Sequence, residues 1–162
     1  MNADSFEITD QPLISEHTEI GRAERFIQAV QETHKYVSQT KEWHVCENGV
    51  WAKTDEKRVL DQAIDFIKNE AYRISDINDD ATRTEASQDY RRYANCAGIT
   101  NITRLAAVRL LADVDDFDAD DNALCVKNGW IDLTTNAIRQ PSSEKQFSLC
   151  CDAKFNSTAP SE

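Results

Sequence analysis

Residues Asp113 to Asp121 read DVDDFDADD and carry six carboxylates with no base among them. Asp116, Asp118 and Asp120 have the odd-position spacing that opens a calcium loop, so binding of a hard cation is the first chemistry to weigh. A calcium loop also needs glycine at its sixth position for the sharp turn and glutamate at its twelfth as a bidentate ligand. Here Asp121 and Lys127 stand at those places, and the stretch reads instead as a solvated acidic connector. A second metal candidate joins His44 and Cys46, on one face of a strand, with the Cys150–Cys151 pair. Adjacent cysteines rarely both ligate one ion and the zinc-knuckle spacing is missing, so packing of small side chains is the better reading. No metal site is expected.

Nucleotide and acyl-transfer chemistry lack their signatures. A phosphate-cradling loop needs GxxxxGK[ST], and none of the four glycines, Gly21, Gly49, Gly98 and Gly129, has that context. No GxSxG, HExxH or kinase pattern occurs. His17, His34 and His44 have no matching Ser/Asp or Cys/Asn arrangement, and His44 is expected to be exposed beside a hairpin. No catalytic residue is expected. Between Ala81 and Ala112 five arginines face two acids. If nucleic acid touches this body, Arg91, Arg92, Arg104 and Arg109 are where electrostatics allows it. The competing reading is that they pair with Glu85, Asp89 and the acidic loop.

The elements that position these residues follow from periodicity. Ala23, Phe26, Ile27 and Val30 recur at helical spacing behind Thr18, which predicts a first helix over TEIGRAERFIQAVQ. Two short strand segments follow, HKYVSQ and EWHVCENGVWAKT, the second turned by Asn48-Gly49, a pair suited to two positive φ angles. Thr54 or Asp55 caps a second helix, Glu56 to Ile77, with a stripe of Leu60, Ala63, Ile64, Ile67, Ala71 and Ile74. After NDD at 78–80, a third helix runs from Ala81 to Ala97, with Gly98 as its left-handed terminator. Thr100 or Asn101 caps a fourth helix to about Ala112, apolar around most of its circumference and therefore central. The acidic connector and a hairpin-forming stretch, Ala123 to Phe147, complete the body.

The fold class expected is α+β and mainly α: a small bundle of about four helices with short antiparallel β-hairpins. Residues 1–17 read as a flexible acidic leader, 18–155 as one domain and 156–162 as a polar tail. The chain has 162 residues and a net charge of −11. All of that excess lies in residues 1–19 and 113–121; elsewhere eighteen acids balance eighteen bases. A neutral body excludes a basic nucleic-acid clamp and a uniform acidic mimic of a phosphate backbone. The five cysteines, an odd number without CxxC, read as reduced thiols. The N-terminus lacks a secretory signal, no apolar run reaches membrane-spanning length, and a cytoplasmic location is expected. Phe147, Leu149 and Phe155 fit either packing on this body or contact with a following domain, and their segment is expected to be poorly ordered.

Four segments in order carry a family resemblance: TEIGRAERFIQ (18–28), WHVCENGVWAKT (43–54), AGITNITRLAAVRLLA (97–112) and LCVKNGWIDLTTNAIRQPSSEKQFS (124–148). Together they resemble the domain lying upstream of the superfamily-3 helicase in phage and plasmid primase-helicases, shared with the poxvirus primase-helicase. Trp130 stands where a small polar or aliphatic residue is usual, and Asn136 replaces a turn glycine, which asparagine's tolerance of left-handed φ allows. The resemblance implies a non-catalytic coupling or oligomerisation domain in DNA replication. It implies adjacent primase and helicase domains as partners, self-association in the full-length protein and weak single-stranded DNA contact. It also implies ATP and magnesium at the helicase rather than here, and a chain that stops before the helicase begins. The alternative is a free-standing acidic mobile-element protein that binds a host protein.

Overall fold

The computed structural model describes residues 18–156. The expected leader, and all of the tail but Asn156, lie outside them. Side-chain caps start each helix. Thr18 Oγ1 accepts from the Gly21 amide at 3.1 Å and opens α1 (Glu19–Val30). Asp55, not Thr54, caps α2 (Glu56–Ser75), and Asp79 within the NDD break caps α3 (Asp80–Tyr93). Each cap satisfies an amide that the first helical turn leaves without an intrahelical partner.

Gly98 does not terminate α3. Asn95 caps α4 (Cys96–Arg109), and Gly98 lies in its first turn, donating its amide to Asn95 Oδ1 at 3.0 Å. Glycine is required there for closeness rather than for handedness. A Cβ on Gly98 would lie 2.4 Å from the Tyr93 carbonyl oxygen, so the tight link between α3 and α4 leaves no room for a methyl group. Gly98→Ala is expected to lower stability by about 1–2 kcal/mol, overpacking outweighing the better helix propensity of alanine. Urea denaturation reads this directly, and an alanine variant as stable as the parent would show that the two helices do not close so tightly.

The second strand segment turns back on itself, so three strands follow α1: β1 (His34–Val37), β2 (Glu42–Glu47) and β3 (Val50–Thr54). Asn48 and Gly49 take the left-handed φ values of 52° and 82° expected of the turn. α4 ends earlier than its apolar pattern suggests. Leu111–Ala112 forms β4, a two-residue strand parallel to Tyr36–Val37 at the sheet edge, giving the order β3-β2-β1-β4. A separate meander, β5 (Ala123–Val126), β6 (Gly129–Asp132) and β7 (Ala137–Arg139), is antiparallel throughout. Asn136 supplies the left-handed residue before β7 at φ 55°. Among the described residues the architecture is α+β, four α-helices with two small sheets, in keeping with the fold class that the patterning predicts.

The core joins α1, α2, α4 and β2 through Phe26, Trp43, Val59, Ala63, Ile67, Ile102, Ala106 and Leu110. Burial of side chains such as Phe26 or Ile102 contributes about 1.5–3 kcal/mol each. α4 is central, packed on the other three helices. The inward line of α2 is Val59, Ala63, Ile67 and Glu70, whereas Ile64 of the expected stripe is exposed.

The C-terminal segment differs most from expectation. Phe147 is buried, its carbonyl accepts from the Trp51 amide at 2.6 Å, and Phe155 is tied by backbone bonds to the Asn128 side chain. Leu149 alone of the three apolar residues stays exposed.

Candidate functional site

Residues three apart on a helix share a face. That rule sets Arg22 beside Arg25 on α1, Glu70 beside Arg73 on α2, and Tyr90 beside Tyr93 on α3. All six line a cavity of about 150 Å³, partly open to solvent, together with Ile67, Ile74, Ile77, Ala86 and Ala94. Glu70 is buried and takes an ion pair through each oxygen, Oε2 with Arg25 Nη2 and Oε1 with Arg73 Nη1 at 2.9 Å. Arg22 is only 6% exposed, and its guanidinium carbon stands 3.5 Å from the centroid of the Tyr93 ring. Its Nη1 is buried and has no hydrogen-bond partner among the described residues. Burial pulls the Arg22 guanidinium down from its ordinary value and Arg25 adds repulsion, against the opposing pull of Tyr93, Asp89 and Glu70.

Sequence reasoning passed over this cluster. Arg22 and Arg25 stand among Glu19 and Glu24, and Arg73 near Glu70, so a regional charge count cancels them. The available signal was position. Arg22 falls next to Phe26 at the edge of the apolar stripe of α1 and is buried with it, where a charge is out of place.

The four arginines named from sequence do not share one place. Arg91 and Arg92 occupy the last turn of α3, and Arg109 the last turn of α4, where the helix dipole favours cations. α4 begins just after Arg92, so Arg109 lies about 20 Å further along its axis. Arg92 meets Asp89 at 3.6 Å and Arg109 meets Glu24 at 3.9 Å. Arg91 and Arg104 are exposed and make no ion pair among the described residues. Arg91 lines an open groove between α2 and α3 with Arg83 and Tyr90.

The acidic stretch is not merely a solvated connector. Asp118 accepts from the Ser148 amide at 2.9 Å and from its hydroxyl, and Asp120 pairs with Lys145 Nζ at 2.6 Å. Asp113 and Asp116 close a capping box on the 3-10 turn Val114–Asp116. Phe117 packs against His44 and Trp51, with ring centroids 5.2 and 6.2 Å away. His44 is therefore half-buried rather than exposed, and its Nδ1 lacks a partner among the described residues. Asp118 and Asp120 thus fasten residues 145–149 to the body.

His34 is buried against Gln62 and Thr33, and burial lowers its pKa from the ordinary imidazole value. All five cysteines are free thiols. Burial, with Cys150 alongside, pushes the Cys125 thiol up to about 12. Among the described residues no group of three or more His, Cys, Asp or Glu side chains is placed to hold a metal ion.

Gly21 and Gly98 are helical, while Gly49 and Gly129 serve hairpins. None of these four glycines opens a strand-to-helix loop. No helix among the described residues is long and apolar enough to cross a membrane.

No curated protein matches the chain. A family model described as "D5 N terminal like" matches residues 23–162, which takes in the core of α1, both sheets and the whole helical cluster. The chain therefore belongs to the D5 N terminal like family, the N-terminal domain of phage and plasmid primase-helicases.

Proposed function

We propose that this domain couples and assembles the parts of a phage or prophage DNA primase-helicase without itself carrying a reaction centre. The observation that supports this reading is family membership across residues 23–162. In this reading a primase module lies upstream and a superfamily-3 helicase downstream, and ATP with magnesium is bound by the helicase. The complete protein then primes and unwinds DNA in the cytoplasm, and this domain sets how its subunits meet. Two further features favour contact over catalysis. Asp118 and Asp120 of the acidic stretch serve structural bonds, and Val108, Leu111 and Val114, each three residues from the next along the chain, expose apolar side chains where α4 gives way to the sheet edge. Single-stranded DNA contact is weak and runs through Arg91, Arg92, Arg104 and Arg109.

The experiment removes residues 18–155 from the full-length protein. Subunit assembly is followed by analytical ultracentrifugation and unwinding by a forked-duplex assay. Loss of the assembled form together with unwinding is the expected result. Unchanged assembly and unwinding would end the coupling role.

A further inference from the structure

We propose that the cavity between α1, α2 and α3 is a binding site for a single phosphate-class oxyanion, held by Arg22, Arg25 and Arg73. The inference stands on the cavity and does not depend on the coupling role.

Charge is the first reason. Three guanidinium groups line the cavity against one carboxylate, and both Glu70 oxygens are already engaged by Arg25 and Arg73. The carboxylate on α3 that acts on Arg22, Asp89, is itself paired with Arg92 at 3.6 Å. Among the described lining residues guanidinium groups outnumber carboxylates three to one.

Desolvation is the second reason. A buried cation with an unsatisfied N–H is costly unless a partner of opposite charge is supplied. Arg22 is 6% exposed, its Nη1 meets no acceptor among the described residues, and that nitrogen belongs to a side chain lining the cavity. The Tyr93 face stabilises the guanidinium from above its plane but accepts none of its in-plane hydrogens. An oxyanion in the cavity supplies that acceptor. The apolar wall of Ile67, Ile74 and Ile77 lowers the local dielectric and strengthens such a contact.

Size and shape are the third. A volume of about 150 Å³ holds on the order of five waters at about 30 Å³ each, enough for a tetrahedral oxyanion with part of its hydration shell. It does not hold a whole nucleotide. The guanidinium groups converge from two helices, which matches an oxyanion that accepts from several directions better than a planar carboxylate that accepts along one edge. A free phosphate and a phosphodiester of single-stranded DNA present the same chemistry here.

Inorganic phosphate is titrated into the 162-residue chain at constant ionic strength, with chloride as the control. Calorimetry gives the affinity and thermal melting gives the stabilisation. The expected result is saturable binding of one phosphate per chain that chloride does not reproduce. Arg22→Met keeps the apolar stem and weakens binding about tenfold, the effect of losing one charge-assisted hydrogen bond. Arg73→Gln, at a side chain 66% exposed and so safe for folding, weakens it about threefold and keeps the test decisive if Arg22→Met does not fold. An oligothymidylate distinguishes the two sources. Competition between it and phosphate, lost in the variants, assigns the site to the DNA backbone. Phosphate binding that the oligonucleotide leaves untouched assigns it to free phosphate. Non-saturable phosphate binding, equal affinity in parent and variants, or tighter binding of glutarate than of phosphate would each overturn the proposal.

Discussion

Trp51→Ala is expected to melt roughly 10 °C below the parent, from a loss of about 3–5 kcal/mol, and to release the C-terminal third of the body before the helices unfold. Trp51 is 1% exposed, and its indole holds three parts of the chain together. Its Nε1 donates to the Ser143 carbonyl at 2.9 Å, its ring meets Phe117 of the acidic stretch edge-on, and Lys35 Nζ lies 5.5 Å from its centroid. Its backbone amide donates to the Phe147 carbonyl, which draws residues 143–147 alongside β3. Truncation removes the packed ring and leaves the Ser143 carbonyl without its donor. Trp51→Phe keeps an aromatic ring while losing the N–H and part of the ring volume, so its cost of about 1–3 kcal/mol is smaller than that of the alanine change. Limited proteolysis locates the damage: the alanine variant is cut between residues 113 and 149 under conditions that spare the parent. Early cleavage within α2 or α4 instead would mean that Trp51 supports the helical core and not the junction.

What could be read from the sequence, and what could not, divides by distance along the chain. The Thr18 cap and the Asn48-Gly49 turn act within three residues and are legible locally, Asp55 and Asp79 fall among the candidates that local chemistry offers, and the cap of α4 is Asn95 instead of the expected Thr100 or Asn101. Asn136 belongs with them, since the demand it meets is the φ of one residue. Gly98 was misassigned because a glycine after an apolar helix fits a terminator equally well. Only the proximity of the Tyr93 carbonyl shows its other use. β4 was hidden inside the apolar run of α4, and what turns Leu111–Ala112 into strand is pairing with Tyr36 and Val37, far back in the chain. The acidic stretch likewise looked solvated because the amide that Asp118 binds is 30 residues away.

The arginine cavity was hidden for a related reason. Its charges come from two helices, α1 and α2, whose separate compositions each balance, and their excess exists only once those helices pack together with the tyrosines of α3. The same packing explains why the four arginines chosen by composition do not converge. Arg91, Arg92 and Arg109 sit at helix ends, where the dipole of their own helix favours a cation, and Arg104 lies within α4.

That packing makes Glu70 the second residue whose replacement has a large effect. Glu70→Gln preserves shape and volume, so any loss is electrostatic and not a cavity cost. The side chain is 9% exposed, and its charge answers Arg25, itself 21% exposed, together with Arg73. Without it, Arg22, Arg25 and Arg73 meet no carboxylate among the described residues lining the cavity. Removing one partner of a buried pair costs about 3–5 kcal/mol, and the lower end applies here because Arg73 remains largely in water. The expected loss is therefore about 3 kcal/mol, or roughly 6–12 °C in melting temperature for a chain of this size. A double-mutant cycle with Arg25→Met tests the cause. Since Arg25 no longer needs an answering charge once it is removed, the double variant should be about 1–2 kcal/mol more stable than the sum of the single losses implies. Strict additivity would show that Glu70 and Arg25 contribute through separate packing, and that the carboxylate is not what holds the guanidinium groups of α1 and α2 together.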